Sequence, residues 1–132
     1  MKNIENMTGA TGTASAAVNE KNTALAVGSG SLEVFATPML LALLEKASVN
    51  AVAQFLEENE TTVGTNADIA HTSATPVGLE VTAKAEIIAV NGREITLTVT
   101  ACDKNGSIGR GTHKRFVVKA DKFMEKTKAK LL

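Results

Sequence analysis

The sequence predicts an α+β fold in which one long helix packs against one antiparallel sheet in two layers. The pair Thr37-Pro38 indicates a helix that runs from Pro38 to about Glu57, because threonine is a good N-cap and proline suits the first helical position. Four strand-like segments follow, and Asn91-Gly92 between two of them is a strong signal for a tight hairpin. A single apolar helix beside consecutive antiparallel strands is buried most completely when the sheet curls around it.

The predicted strands differ in how clear their patterns are. From Val77 to Ala89, apolar or small residues occupy the odd positions, which is typical of a strand buried on one face. A weak first strand, Thr11 to Val18, precedes the helix, and residues 1–10 show no period and are expected to be loosely ordered. Segments 61–72, 93–101 and 107–119 complete the predicted sheet, and 121–130 are predicted to form a short charged helix.

Length and composition restrict the class of protein. The 132 residues suit a single domain, which we take to span 1–132, and the one cysteine, Cys102, fits a reducing compartment. Equal numbers of acidic and basic residues, 14 of each, give no broad electrostatic reason to bind nucleic acid or an anionic membrane. Because the chain lacks both a membrane-spanning apolar stretch and an apolar signal core, we expect a cytoplasmic protein.

Glu45 is the unexpected residue of the predicted helix. At about 100° per residue it falls on the same side as Leu41 and Val49, so it is a carboxylate on an apolar face. Burying an unpaired carboxylate is costly, and such a group beside a cavity can act as a base or a nucleophile. The plainer alternative is a glutamate at the helix edge or one paired with a structural lysine, and the residues alone leave both open.

Two further polar residues raise the same question. His71 shares a predicted strand face with Val63 and Ile69. A histidine there is more often a satisfied core residue than a catalyst, although its pKa suits acid–base chemistry near neutral pH. Thr37 is by default only an N-cap, but a hydroxyl at a helix N-terminus lies in a positive field that favours a developing oxyanion.

Three segments form a pattern that covers roughly residues 20–120: Ser29–Pro38, Val63–His71 with the following Thr75–Gly78, and Gly111–Val118. This pattern shows a resemblance to the fluoroacetyl-CoA thioesterase-like family of the hotdog superfamily. It implies a hotdog fold, with a long central helix wrapped by a curled antiparallel sheet, and a homodimer, with a higher oligomer left open. It also implies an acyl-CoA thioesterase that needs no metal and no cofactor, with coenzyme A present only as part of the substrate.

The resemblance also implies roles for individual residues. The family's catalytic threonine, glutamate and histidine fall on Thr37, Glu45 and His71, and its substrate-approaching glycine and substrate-contacting arginine fall on Gly64 and Arg115. An arginine at this position suits an acyl carboxylate or a CoA phosphate. The plainer alternative is a solvated charge, and the neighbouring histidine, residue 113, is expected to be structural.

One segment departs from the family pattern. The family's name-giving enzyme has aromatic side chains in a lid before the catalytic threonine, whereas Val27–Ser31 contains none. We therefore expect a short or medium acyl group other than fluoroacetyl.

The expected reaction converts an acyl-CoA to the free acid and CoA. Glu45 is expected to be the nucleophile or the base that activates water, His71 to orient the site and transfer a proton, and Thr37 to bond the thioester or its oxyanion or to relay a proton. Eight helical residues rise about 12 Å, so Thr37 and Glu45 of one chain cannot touch. Either the substrate bridges them or a second subunit completes the site, and we expect a site at a dimer interface.

Two other functions on the same fold stay open at this point. A hydratase or dehydratase is expected to present an Asp and a His several residues apart at the start of a helix, whereas Asp68 and His71 lie on a predicted strand with closer spacing. A non-catalytic acyl-CoA-binding module is the second alternative, but such a module has little need for the carboxylate of Glu45 on an apolar helix face.

Overall fold

A computed structural model describes residues 1–132. The strands are β1 (Thr11–Ala17), β2 (Glu60–His71), β3 (Glu80–Asn91), β4 (Glu94–Asp103) and β5 (Gly106–Lys119). The α-helices are α1 (Ala24–Val27), α2 (Thr37–Val52) and α3 (Ala120–Lys128), and short 3-10 helices cover Ile4–Asn6, Ala53–Phe55 and Ala129–Leu131. None of these helices is both long and apolar enough to cross a membrane.

The five strands form one antiparallel sheet in the order β1-β3-β4-β5-β2. The long helix α2 packs on one face of this sheet, mainly against β1 and β3. The predicted α+β architecture, a long helix wrapped by a curled antiparallel sheet, is therefore confirmed. The sheet ends at β1 on one side and at β2 on the other, so the outer edge of the 12-residue strand β2 has no partner within the chain.

The core lies between α2 and the sheet and is almost entirely aliphatic. Its helix residues include Leu40, Leu44, Ala47 and Ala51, and its sheet residues include Val81, Ala83, Ala85, Ile87, Ile95, Leu97 and Val99. The helix backbone at Ala47 and Ala51 leaves no room for a Cβ atom on Gly12 of β1. This close approach brings α2 directly onto the strand and fixes its position over the sheet.

The prediction for this helix was wrong in three respects: where it ends, which residue caps it and which face it buries. The α-helix ends at Val52, followed by one 3-10 turn to Phe55, instead of continuing to Glu57. Thr37 is the first helical residue and Ala36 the N-cap, with no side-chain cap hydrogen bond. The buried face includes Leu44, whereas Val49 is 41% exposed. Because α2 is apolar on most sides, the sequence pattern could not fix which side faces the sheet.

The amino-terminal residues pack against the domain, in contrast to the loose order expected for residues 1–10. Met7 is fully buried, the Lys2 amide donates to the Phe55 carbonyl at 2.9 Å, and the terminal ammonium of Met1 pairs with Glu60. Burial of the apolar Met7 side chain favours the ordered terminus, and a purely polar segment would have no such gain in free energy.

Candidate active site

Thr37 and His71 form a hydrogen-bonded pair between the start of α2 and the end of β2. The Thr37 Oγ1 atom lies 2.7 Å from the His71 Nδ1 atom, although the two residues are 34 positions apart in the chain. Thr37 is free for this contact because its hydroxyl does not cap its own helix. A hydroxyl at hydrogen-bond distance from an imidazole is the arrangement by which a base accepts or returns a proton.

The surroundings of His71 favour the neutral imidazole. Burial lowers the pKa of His71 below its ordinary value, because desolvation disfavours the charged ring. Its Nε2 atom is buried and has no hydrogen-bond partner. When Nε2 carries the ring proton, Nδ1 is left to accept a proton from the hydroxyl of Thr37.

Thr75 links the two chain segments that hold this pair. The amide of Phe35, two residues before Thr37, donates to the Thr75 carbonyl at 2.8 Å. The Thr75 side chain is fully buried, and its hydroxyl donates to Asp103 Oδ2 at 2.8 Å. The end of β4 therefore supports both the segment before Thr37 and the segment after His71.

A cavity of about 250 Å³ opens beside the Thr37–His71 pair. Its lining consists of the pair itself and Ala24, Ser29, Val34, Phe35, Thr72, Ser73 and Ala74. No charged side chain belongs to this set. The cavity is thus positioned to hold a small neutral group next to the hydroxyl and the imidazole.

Glu45 belongs to a second cluster, in which Arg115 is its main partner. Nη1 of the arginine lies 3.1 Å from Oε2 of the glutamate. Arg115 is only 6% exposed, and it also donates from Nε to the Thr62 hydroxyl at 2.9 Å and from Nη2 to the Thr62 carbonyl at 3.1 Å. A buried guanidinium with a partner at every nitrogen is a rigid support for the carboxylate.

His113 completes this cluster as a neutral hydrogen-bond acceptor. Its Nδ1–H donates to the Asn66 carbonyl at 2.7 Å, so its Nε2 is free to accept from Arg115 Nη1 at 3.1 Å. Burial is the main cause that lowers the pKa of His113, and the charge of Arg115 lowers it further, while the Asn66 bond and Glu45 oppose these effects. The same Nε2 atom lies 3.8 Å from Oε2 of Glu45.

Gly64 leaves the space that the Glu45 carboxylate occupies. A Cβ atom at this position would lie 2.6 Å from Glu45 Oε2 and 3.2 Å from Arg115 Nη1. The pairing of β2 with β5 shifts register between Gly64 and Asn66, which marks an irregularity at the same point. Any larger residue would therefore displace the glutamate or the arginine.

Comparison with known proteins gives the family. A model of the fluoroacetyl-CoA-specific thioesterase family (FlK) matches residues 18–121. The fluoroacetyl-CoA thioesterase of Streptantibioticus cattleyicolor is 45% identical over 98 residues, which is 74% of this chain and 70% of that relative. The chain belongs to the fluoroacetyl-CoA-specific thioesterase family. It is therefore a thioester hydrolase.

Solved structures agree with this assignment. A variant of the FlK thioesterase in complex with fluoroacetate and CoA is 38% identical, with a TM-score of 0.83 over 88% of this chain and 98% of that one. A hot-dog-like protein from Thermanaerovibrio acidaminovorans is 19% identical, with a TM-score of 0.86 over 97% of this chain and 96% of that one. The latter supports the fold alone, which is the hotdog fold.

The structure of this family member brings together only some of the predicted site residues. Thr37 and His71 touch, whereas Glu45 lies on Arg115 beside Gly64, in a separate cluster. The side chain of Glu45 is 39% exposed, so it lies at the edge of the helix face and not within a buried apolar surface.

The structure bears on two expectations about the second cluster. Arg115 is buried, contrary to the solvated alternative, and its partners are protein atoms. His113, expected to be structural, accepts a hydrogen bond from the arginine that holds Glu45. The alternation of His113, Arg115 and Val117 along β5 was the sequence signal that these side chains share one face of the strand.

Proposed function

We propose that this chain hydrolyses a short or medium acyl-CoA to the free acid and CoA at sites that two protomers of a homodimer form together. The observation that carries the proposal is the division of the functional groups into two clusters within one chain. One cluster contains the Thr37–His71 pair, and the other contains Glu45 supported by Arg115. Thr37 of the first cluster and Glu45 of the second both lie on α2, where eight helical positions, about 12 Å along the axis, separate them.

The unpaired edge of β2 supports a composite site. This strand carries Gly64 near one end and His71 at the other, and its outer edge has no partner within the chain. Exposed edge strands are natural sites for pairing with a second chain. An antiparallel pairing of two β2 strands centred between Ala67 and Asp68 would bring Gly64, and with it Glu45, to the partner subunit's His71.

Glu45 is the group that activates water in this proposal. Arg115 holds Oε2, while Oε1 takes no part in that contact and can accept a proton from a water molecule. The OH of the water bonds to the acyl carbon and gives a tetrahedral intermediate. When the carbon–sulfur bond of this intermediate breaks, Glu45 passes the proton to the departing thiolate of CoA. A carboxylate held in one orientation is suited to this role because general-base catalysis depends on geometry as well as on pKa.

The Thr37–His71 pair supplies hydrogen bonds and a proton path on the other side of the thioester. The hydroxyl can donate to the carbonyl oxygen as it becomes negatively charged. The neutral imidazole at 2.7 Å can exchange a proton with that hydroxyl. The pair thereby stabilises the tetrahedral intermediate and helps to protonate the leaving sulfur.

Gly64 and Arg115 act on Glu45 in this proposal and not on the substrate directly. Every nitrogen of the guanidinium already has a protein partner, which favours a positioning role over a contact with a phosphate. Gly64 provides the space for the carboxylate. The reaction needs no cofactor, since coenzyme A enters as part of the substrate.

The acyl group differs from that in the name of the Streptantibioticus relative. Segment Val27–Ser31 has no aromatic side chain, and Ser29 lines the cavity beside Thr37. This segment therefore offers a fluorinated acetyl group no aromatic contact, and the one aromatic residue in the cavity lining is Phe35. We also propose a cytoplasmic location, because the exposed and unpaired Cys102 suits a reducing compartment.

The test is release of CoA from a panel of acyl-CoAs, measured with a thiol-reactive dye, for the native protein and for Glu45→Ala and Glu45→Gln. General-base catalysis typically contributes about 100- to 10,000-fold, so both variants should lose at least two orders of magnitude in kcat. Near-normal kcat in a folded Glu45→Ala protein would exclude Glu45 from the chemistry. No release from any acyl-CoA by the native protein would contradict the proposed function.

A further inference from the structure

The cavity beside Thr37 and His71 carries hydroxyl groups that the proposed chemistry does not use. Ser29, Thr72 and Ser73 line it in addition to the catalytic pair. All three are exposed, and none of their hydroxyls bonds to another group of the protein, in contrast to the hydroxyls of Thr37 and Thr75. Three free hydroxyls around one small cavity can donate to or accept from a polar ligand.

His71, which also lines this cavity, has a polar atom that the protein leaves unsatisfied. Its Nε2 is buried without a hydrogen-bond partner, which costs free energy. The other lining residues, Ala24, Val34, Phe35 and Ala74, are apolar. The cavity thus combines an apolar wall with several hydrogen-bonding positions and has no net charge.

We infer that this cavity receives the acyl group and selects a short neutral acyl chain with one hydrogen-bonding substituent, such as a hydroxyacyl or oxoacyl group. The inference rests on the thioesterase function proposed above and names its substrate class. An unsubstituted alkyl chain would remove water from the hydroxyls of Ser29 and Ser73 without replacing its hydrogen bonds. An acyl chain that ends in a carboxylate would find no arginine or lysine in the lining.

The volume limits the length of the chain. At roughly 30 Å³ for each water-sized group, the cavity has room for about eight such groups. A four-carbon acyl group with one oxygen substituent fits within this space, whereas a long fatty acyl chain would extend out of it. The pantetheine arm of CoA is also polar, and the experiment must distinguish it from the acyl group as the occupant.

The experiment compares kcat/KM for five substrates with a four-carbon acyl chain: butyryl-CoA, the two enantiomers of 3-hydroxybutyryl-CoA, acetoacetyl-CoA and succinyl-CoA. One additional neutral hydrogen bond corresponds to about a fivefold gain. We expect at least one of the hydroxyacyl and oxoacyl substrates to exceed butyryl-CoA by about that factor or more, and succinyl-CoA to be the poorest. The variants Ser29→Ala and Ser73→Ala should each reduce this preference.

Ser31→Ala is the matched control, because Ser31 is an exposed serine of the same segment that does not line the cavity. It should leave the preference unchanged. Equal or better hydrolysis of butyryl-CoA, with the dependence on Glu45 intact, would overturn the inference and leave the proposed function standing. A uniform rise of KM for all substrates in the serine variants would place pantetheine in the cavity and would also overturn it. If the native protein released no CoA from any of these substrates, in contrast, that result would contradict the thioesterase function itself.

Discussion

Arg115 holds Glu45 by a contact of 3.1 Å between Nη1 and Oε2. The two residues are 70 positions apart in the chain, so the contact depends on the whole fold. Thr62 and His113 bind the rest of the guanidinium, which keeps the arginine in one orientation. We propose that Arg115 positions Glu45, a role that kinetic measurements can distinguish from substrate binding.

Substitution Arg115→Lys should lower kcat roughly 10- to 100-fold while KM stays nearly constant. A lysine ammonium is a single point charge and cannot reproduce the fork that binds both Glu45 and Thr62, and small misplacements of a catalytic group cost about this much. Steady-state kinetics of CoA release provide the measurement. Lys114→Ala is the control, since its exposed side chain makes only a 3.8 Å contact with Glu94. A rise of KM with normal kcat would instead assign Arg115 to CoA or acyl binding.

Substitution Gly64→Ala should reduce both stability and activity, because its Cβ would lie 2.6 Å from Glu45 Oε2. In a Glu45→Ala background the obstructing carboxylate is gone, so the same substitution should cost much less free energy of unfolding. Urea denaturation of the two single variants and the double variant measures this coupling. Additive losses of stability would show that the glycine is needed for the backbone of β2 and not for the glutamate.

Substitution Thr75→Val should lower kcat by weakening the support of the Thr37–His71 pair. It removes the hydrogen bond to Asp103 at a buried position, for which a loss of about 1–3 kcal/mol in the free energy of unfolding is expected. If Thr75 acts through Thr37, its effect on kcat should disappear in a Thr37→Ala background while its effect on stability persists. Thr75→Ser, which keeps the hydroxyl, should restore kcat. An equal loss of kcat in both backgrounds would contradict this link.

Stability should decrease as the pH falls below about 6.5. Burial lowers the pKa of both His71 and His113 from the ordinary value of 6.5, so the unfolded chain takes up protons there before the folded protein does. The free energy of unfolding is therefore highest above this pH and is lost as the pH falls through the lower folded pKa values. Urea midpoints across this range for the native protein and His113→Gln provide the test, and the variant should show the weaker pH dependence. Identical pH profiles would exclude His113 as a contributor.

The local patterns of the sequence were sufficient to predict most of the fold. The Asn91-Gly92 turn joins β3 to β4 as predicted, with Gly92 at a positive φ of 63°. The start of β3 was placed too early at Val77, because Gly78 at a φ of 102° belongs to a turn before the strand. A period-two pattern cannot show where backbone pairing begins, since the alternation continues into the turn.

The functional site was less accessible to sequence reasoning. The resemblance to a family indicated Thr37, Glu45 and His71, but the 2.7 Å contact between Thr37 and His71 is a long-range contact that no local pattern encodes. The partner of Glu45 was missed because the resemblance assigned Arg115 to the substrate, with a solvated charge as the plainer alternative. Charged and polar residues occur on both faces of β5. The alternation along the strand therefore does not show which face packs towards α2, and only the packed structure does.

Subunit mixing tests the composite site most directly. Thr37→Ala and Glu45→Ala protein, each inactive alone, are unfolded together and refolded at equal concentrations, and CoA release is compared with that of each variant refolded alone. In a shared site, a mixed dimer contains one site with an intact Thr37 and an intact Glu45, so random mixing should restore roughly one quarter of native activity. If all three groups act within one chain, no mixed dimer contains an intact site. Absence of any recovery from dimers shown to be mixed would contradict the account.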